Sequence, residues 1–328
     1  MKKILLALAW LAAASPAAAT VKFCVYDPAG PIGPAANQLK DLMLEAKSWK
    51  VEAELKAYPL QSDMLKDFHD KRCDLALMDG LQARQYNRFV GTLISPGSMP
   101  TYKDLYQALS TLATPAVAPL MSQDGVEVAG IIPFGAAYIH LKDRRDNTIA
   151  SAKGKRVAVL AWDKSQAEFV QMMEAVPVAT DITDAFVKFN TGEVDMVAAP
   201  AVTFRALEMK KGLGAQGGIL RIPLAMVVAD IVIWKDKFPA DFGQRMRDLV
   251  MSQMDNTMET LGQYEKEIPE RYWIVVNKAQ QQEYLDTLRQ LRLHLKEEGY
   301  YDPRMLTLLK RIRCKRDAAA AECSLTDE

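Results

Sequence analysis

The chain has 328 residues, 49% apolar and 25% charged, enough to bury a sizeable core and to form two domains. Lysine plus arginine equal aspartate plus glutamate at 41 each. That balance gives no reason to expect a nucleic-acid partner or a polybasic membrane contact.

At the N-terminus, "MKK" is a short positive region, "ILLALAWLAA" an apolar stretch and "SPAAAT" a small-residue site. This order predicts a secretory signal peptide over residues 1–19, cleaved near Ala19. The apolar stretch is too short for a spanning helix, and no later segment reaches ~20 uncharged apolar residues. A soluble periplasmic protein is expected. Without Lys2 and Lys3 the charge count becomes 39 against 41, about −2.

"VKFCVYD" (21–27) is an apolar, β-forming run stopped by "PAGPIGP". A helical face follows, with Leu39, Leu42, Met43 and Ala46 in register. "KVEAELKAY" alternates as a half-buried strand does, "QSDMLKDFHDKR" reads as a helix, and "CDLALMDG" (73–80) is an apolar strand. The order β-α-β-α-β implies a parallel sheet flanked by helices. "GVEVAGIIPFGAAYIHL" (125–141) is extended and broken by Pro133 and Gly135.

A second β-α-β-α-β pass begins at "KGKRVAVLAWD" (153–163) and ends at "VDMVAAP", with Gly192 as a helix stop able to take positive φ. "RCDLALMDGL" and "GEVDMVAAPA" thus occupy the same station, the third strand of each pass. Another extended run, "GGILRIPLAMVVADIVIW" (217–234), provides a second crossing between the halves. The remainder reads as helical. Met246, Val250, Met254, Met258 and Leu261 form a core stripe, Tyr284, Leu288, Leu291 and Leu295 another, and Asp302-Pro303 caps a last helix.

The expected architecture is an α/β, bilobed fold like that of periplasmic binding proteins. Residues 20–128 and 229–328 make one lobe with the C-terminal helices, and 129–228 the other.

Ligands of open parallel sheets collect beyond the carboxyl ends of the strands. Asp27-Pro28, Asp79-Gly80, Trp162-Asp163 and Pro200-Ala201 all stand at such ends and are expected to line one cleft. Asp27, Asp79 and Asp163 supply polar tips, Trp162, Tyr138 and Phe204 flat faces, and Arg84 and Arg205 candidate cations. The turn after Asp27 leads into a helix N-terminus, where free N–H groups favour an anion.

Catalytic equipment is missing from the pattern. "GLGAQG" (212–217) fits G-x-G-x-x-G, but a strand-like run follows where a helix should begin. No G-x-S-x-G or Walker motif occurs, and His69, His140 and His294 are scattered. Neither an enzyme, a cofactor nor a metal site is expected. Four cysteines in an exported chain imply two disulfides, and of three pairings the sequence favours Cys24–Cys73 with Cys314–Cys323.

The stretch "KGKRVAV…AVPVATDITDAFVKFNTGEVDMVAAP" resembles the substrate-binding proteins of tripartite ATP-independent periplasmic (TRAP) transporters. Over nearly the whole mature chain, "YDPAGPIGP", "GIIPFGAAYI", "IPERYW", "EEGYYD" and the "RC…EC" tail resemble the AdeT group of solute-binding proteins. The resemblance implies a monomer that closes around a small-molecule ligand and delivers it to inner-membrane transporter subunits. An accessory role in an efflux or sensory complex stays open beside it. One position departs from the TRAP pattern. Those proteins carry a carboxylate-clamping arginine in the strand after the glycine-lysine pair, and the matching residue here is Ala158. Arg156 lies on the same strand face but about 6–7 Å earlier, too near the strand's start to replace it.

Overall fold

The computed structural model describes residues 20–328, so the expected signal peptide lies outside the described residues. The chain divides into two compact units, the first ending at Cys73 and the second running from Asp74 to Glu328.

The first unit contains β1 (Val21–Tyr26), α1 (Pro34–Ser48), β2 (Ala53–Tyr58) and α2 (Gln61–His69). β1 and β2 pair in parallel from Val21↔Ala53 to Tyr26↔Tyr58. Leu39, Leu42 and Ala46 form the buried face of α1, as their spacing predicts. Cys24 and Cys73 are joined by a disulfide, as expected, although Cys73 stands in the loop before the next strand and not on it.

The second unit opens with β3 (Leu75–Asp79), the short helices α3 (Gly80–Ala83) and α4 (Arg88–Gly91), then α5 (Tyr102–Leu112), β4 (Ser122–Gln123) and the long β5 (Val126–Leu141). The second pass is β6 (Arg156–Leu160), α6 (Lys164–Met172), β7 (Val176–Thr180), α7 (Ile182–Thr191) and β8 (Met196–Pro200). After α8 (Thr203–Ala206) and α9 (Met209–Leu213) come β9 (Gly218–Leu220) and β10 (Ala225–Trp234). The chain finishes with α10 (Phe242–Ser252), α11 (Met254–Glu267), β11 (Trp273–Ile274), α12 (Lys278–Glu297) and α13 (Pro303–Arg316).

The local signals act as the sequence implies. Asp163 and Asp181 cap α6 and α7 with their carboxylates, and Gly192 ends α7 at φ 85°. Asn277 and Gln280 form a capping box on α12. β9 follows "GLGAQG", so that segment does not open a nucleotide-binding helix.

Within this unit the strands run in the order β3-β10-β5-β8-β6-β7. β10 pairs antiparallel with both β3 and β5, and β5 antiparallel with β8, whereas β6 is parallel to β7 and β8. The sheet is therefore mixed. β10 meets β3 along Ala229–Ile233, and β5 meets β8 along Ala137–Leu141. The two long strands thus link the β3 half to the β6–β8 half. Their mutual register shifts between Val227 and Val228, where Val227 faces Gly135 and Val228 faces Pro133. Gly135 takes φ +102°, and a Cβ there would sit 2.9 Å from the Tyr102 hydroxyl.

The α12 stripe of Tyr284, Leu288, Leu291 and Leu295 joins one core with Val157, Val159, Phe169 and Val170. The same helix donates from Arg292 to the Pro96 carbonyl at 2.8 Å, and α13 from Arg313 to the Ser98 carbonyl at 2.9 Å. The C-terminal helices therefore contact both the β6–α6 pass and the loop between α4 and α5. Met246, Val250, Met254 and Leu261 are buried, so most of the methionine stripe is core.

Candidate functional site

A cavity of about 290 Å³ lies at the carboxyl ends of β3, β6 and β8. Asp79, Gly80 and Leu81 bound it at the β3 end, Ala158, Val159 and Leu160 at β6, and Val197, Ala198 and Pro200 at β8. Ala137 of β5 and Ala225, Val227 and Val228 of β10 contribute the wall where the two crossing strands shift register. Gly80 has no room for a side chain, because a Cβ would lie 2.5 Å from Ile94 Cδ1 and 2.8 Å from Val228 Cγ2.

Polar groups in this wall are mostly committed to the protein. The Thr180 hydroxyl donates to the Val159 carbonyl at 3.1 Å, and that of Thr203 to the Pro200 carbonyl at 2.7 Å. Gln166 Oε1 accepts from the Leu160 N–H at 3.0 Å. Asp79 Oδ1 accepts from the Gln82 N–H at 3.0 Å and so starts α3.

Of the eight ligand side chains singled out from the sequence, the cavity gathers two, Asp79 and Asp163. Asp163 is buried and accepts from the Ser165 N–H at 3.2 Å and the Tyr300 hydroxyl at 2.8 Å. Arg84 stands beside it, with Nη1 3.4 Å from Asp163 Oδ1. Its guanidinium also donates to Tyr300, reaches the Gly91 carbonyl at 3.2 Å and stacks 4.4 Å from the Tyr300 ring centroid. Arg84 is not among the lining residues. Burial, then the Asp163 charge, raises the Tyr300 phenol well above its ordinary value, so it stays a donor.

The remaining five stand elsewhere. Tyr138 follows the lining residue Ala137 along β5, so it projects to the other face. There its hydroxyl donates to Glu265 at 2.6 Å and its ring meets Trp273 edge-on at 5.0 Å. Trp162 is 38% exposed in the turn after β6, outside the lining. Phe204 is buried against Tyr272, 5.9 Å between centroids. Asp27, in the first unit, accepts from the N–H groups of Ala29, Ala35 and Ala36 at 2.9, 2.9 and 3.1 Å. Its carboxylate thus fills the helix N-terminus that the sequence offered to an anion. Gly33 permits this, because a Cβ there would lie 2.0 Å from Asp27 Oδ1.

Ala158 lines the cavity, at the position where the resembling transporter proteins carry arginine. Arg156 pairs instead with Asp195, at 2.8 Å and 3.1 Å, and with the Gly192 carbonyl at 3.0 Å. Arg205, exposed, faces Glu267 at 3.5 Å.

Sequence reasoning missed Asp230. It is fully buried on β10 between Met78 and Ile131, and neither carboxyl oxygen has a hydrogen-bond partner. Burial, then the charge of Asp79, raises its pKa well above 3.8. A lone acid inside the apolar run "VVADIVIW" was the available signal. Ile94, Thr180 and Phe186 also line the cavity, but nothing marks them in sequence apart from ordinary core composition.

Two other features draw less chemistry. A recess of about 390 Å³ near the C-terminal helices is lined by Arg289, Arg292, Arg313 and Arg316. Each already meets a carboxylate, from Asp327, Glu328, Glu322 and Asp104 at 2.5, 2.6, 2.7 and 3.0 Å respectively. Glu168, His294 and Glu298 bring donor atoms within 4.8 Å of one another, which their scatter in sequence hides. The Lys164 ammonium already bridges the two glutamates, 3.3 Å from Glu168 and 2.5 Å from Glu298.

Comparison with known proteins agrees with this geometry. A TRAP periplasmic solute-binding protein from Ralstonia eutropha H16, with bound (S)-2-acetolactate, superposes with a TM-score of 0.73 at 16% identity, covering 90% of this chain and 99% of that one. A second, from Desulfovibrio salexigens with bound orotic acid, gives 0.72 at 13%, covering 90% and 99%. At these identities the likeness establishes the α/β fold of TRAP periplasmic binding proteins. "Probable solute-binding protein AdeT1" of Acinetobacter baumannii is 40% identical over 304 residues, 93% of this chain and 100% of that one. Residues 38–328 match the family described as solute-binding protein AdeT 1/2, and the chain belongs to that family.

Proposed function

We propose that this chain is a periplasmic, non-enzymatic binding protein that takes one small solute into the cavity at the β3, β6 and β8 ends and passes it to inner-membrane transporter subunits. The observation that carries the reading is the position of that cavity, beside the register shift where β5 and β10 cross between the two halves of the sheet. Residues 20–128 and 129–228 would form the two closing lobes, with the helices of 229–328 continuing the first and reaching across to the second. The family membership and the two disulfides fit a protein exported through a cleaved signal near Ala19.

Native mass spectrometry of protein purified from the periplasm without refolding tests the reading. A retained small molecule is expected, lost on denaturation, and its return should raise the melting temperature by mass action. A chain that never carries or binds any small molecule, yet co-purifies with envelope proteins, would replace delivery by an accessory role.

A further inference from the structure

The residues that line the cavity at the β3, β6 and β8 ends include no lysine, arginine or histidine among the described residues. Both carboxylates in the lining are engaged within the protein. Asp163 is held by Arg84 and by the hydroxyls of Tyr300 and Ser165. Asp79 caps α3 through the Gln82 N–H and has a further interaction inside the protein. The hydroxyls of Thr180 and Thr203 donate to backbone carbonyls. Gln166 is different. Its Oε1 accepts from the Leu160 N–H, and its Nε2 meets no protein acceptor among the described residues. The rest of the wall is apolar, with Leu81, Ile94, Leu160, Phe186, Val197 and Leu224 the larger contributors.

We propose that the cavity takes an uncharged, largely apolar solute of roughly a dozen non-hydrogen atoms, oriented by one hydrogen-bond acceptor on Gln166 Nε2, and turns away carboxylates and amines alike. The proposal rests on the solute-binding reading above and names its ligand class. The size follows from the volume of about 290 Å³, roughly twice that of the ~150 Å³ apolar cavity that takes benzene. A carboxylate entering this wall would lose its water without meeting a cation, which is costly. At Ala158 it would find a methyl group. An ammonium would lose its water to meet carboxylates that already hold Arg84, Tyr300 and the start of α3. A neutral body bears neither cost and gains from the apolar walls. A carbonyl or ether oxygen on that body gives the Gln166 amide its acceptor and fixes which end faces α6. The neighbours from Ralstonia eutropha H16 and Desulfovibrio salexigens hold (S)-2-acetolactate and orotic acid, both carboxylic acids. A neutral ligand sets this chain apart from both.

Arg84 is the group that stands against this reading. Its Nη2 is buried without a hydrogen-bond partner, and a rotation into the cavity would present a cation. The same movement would break its bonds to Asp163, Tyr300 and Gly91 and leave the buried Asp163 without its cation.

Three probes with one bicyclic body test it: tetralone, aminotetralin and tetrahydronaphthoate, which are uncharged, cationic and anionic at neutral pH. Each is titrated calorimetrically into the mature full chain freed of retained ligand. Tetralone should bind at least about tenfold more tightly than either charged analogue. Tetralin, the same body without the oxygen, should bind several-fold more weakly than tetralone. Gln166→Glu keeps an acceptor for the Leu160 N–H but removes the amide donor, and should erase that difference. Ala158→Arg, which puts a cation into the wall, should weaken tetralone and make tetrahydronaphthoate the preferred probe. Melting temperatures measured alongside show whether both variants fold. Tightest binding of aminotetralin by the unaltered chain would overturn the proposal, because a wall carboxylate would then be serving the ligand. Tightest binding of tetrahydronaphthoate would overturn it too and point to Arg84 turning inward. Equal binding of all three would do the same, leaving a cavity indifferent to charge. Tetralone binding that Ala158→Arg leaves unchanged would place the solute outside this cavity, and a tetralone advantage that survives Gln166→Glu would overturn the orienting contact. In each of these cases the solute-binding reading survives. If no probe binds while a small molecule is retained on purification, the proposal falls and that reading stands; no probe bound and nothing retained would sink both.

Discussion

Asp230 and His140 are both fully buried, and they pull the stability of the chain in opposite directions with pH. The Asp230 carboxyl is raised well above 3.8 by burial first and Asp79 second. The folded chain thus holds a proton that the unfolded chain releases. Its contribution is complete below about 3.8 and is lost as pH rises towards the folded value. Burial lowers His140 from 6.5 to about 4, against an opposing contact with the Tyr138 carbonyl. Its contribution is complete above 6.5 and is lost as pH falls towards about 4. Asp230→Val, which suits a central strand and removes an unbonded polar group, should stabilise the chain at pH 7 by about 1–3 kcal/mol. The gain should shrink as pH approaches 4. Urea unfolding across that range measures it, and a less stable variant at pH 7 would mean that the carboxyl has a bonded role in the folded state. His140→Leu should flatten the acid limb between pH 6.5 and 4, leaving the neutral side unchanged.

Disulfides act on whole elements, and the two here differ in the loop each closes. Cys24 and Cys73 are 49 residues apart, which in the chain-entropy account is worth roughly 4 kcal/mol. Cys314 and Cys323 are 9 apart, worth roughly 2.7 kcal/mol. The second loop is also closed by Arg313, which binds Glu322 through two nitrogens at 2.7 Å each, so part of its constraint survives reduction. Replacing Cys24 and Cys73 by alanine should therefore lower the urea midpoint more than replacing Cys314 and Cys323; the reverse order would place the weaker part of the fold at the C-terminal helices. The elements themselves were legible, because apolar period and turn residues mark them locally: both β-α-β-α-β passes, the Gly192 stop and the α12 stripe stand where the sequence puts them. The site was only half legible. Asp79 and Asp163 line the cavity because strand ends can be read from sequence. Tyr138 and Trp162 do not, because the face a side chain takes depends on strand pleat, bulge and turn geometry that composition does not encode. Asp27 stands at a strand end as the sequence places it, but its carboxylate accepts from the first N–H groups of its own helix, a local contact that residue type alone does not reveal.

For the molecule as a whole, the proposed closure depends on what β5 and β10 do where they cross between the halves. Two continuous paired strands would resist bending, but their register breaks between Val227 and Val228, and Gly135 opposite takes φ +102°. Beside the break, the Tyr102 hydroxyl donates to Glu265 at 2.8 Å and accepts from the Ala136 N–H at 3.1 Å, so the strand is held at its edge rather than across it. Lobe closure concentrated there would reduce the radius of gyration when solute saturates the cavity. Small-angle scattering with and without the retained ligand should show that compaction, together with a stabilisation of about 2.7 kcal/mol at a hundred times the dissociation constant. Gly135→Ala adds a Cβ 2.9 Å from the Tyr102 hydroxyl at a backbone angle that side chains disfavour. It should weaken binding and reduce the compaction together, because the strained strand can no longer move freely between its two positions. A variant that binds normally and compacts normally would place the hinge elsewhere. Saturation without compaction in the unaltered chain would mean that solute enters a preformed cavity, and the crossing strands would then be a scaffold and not a hinge.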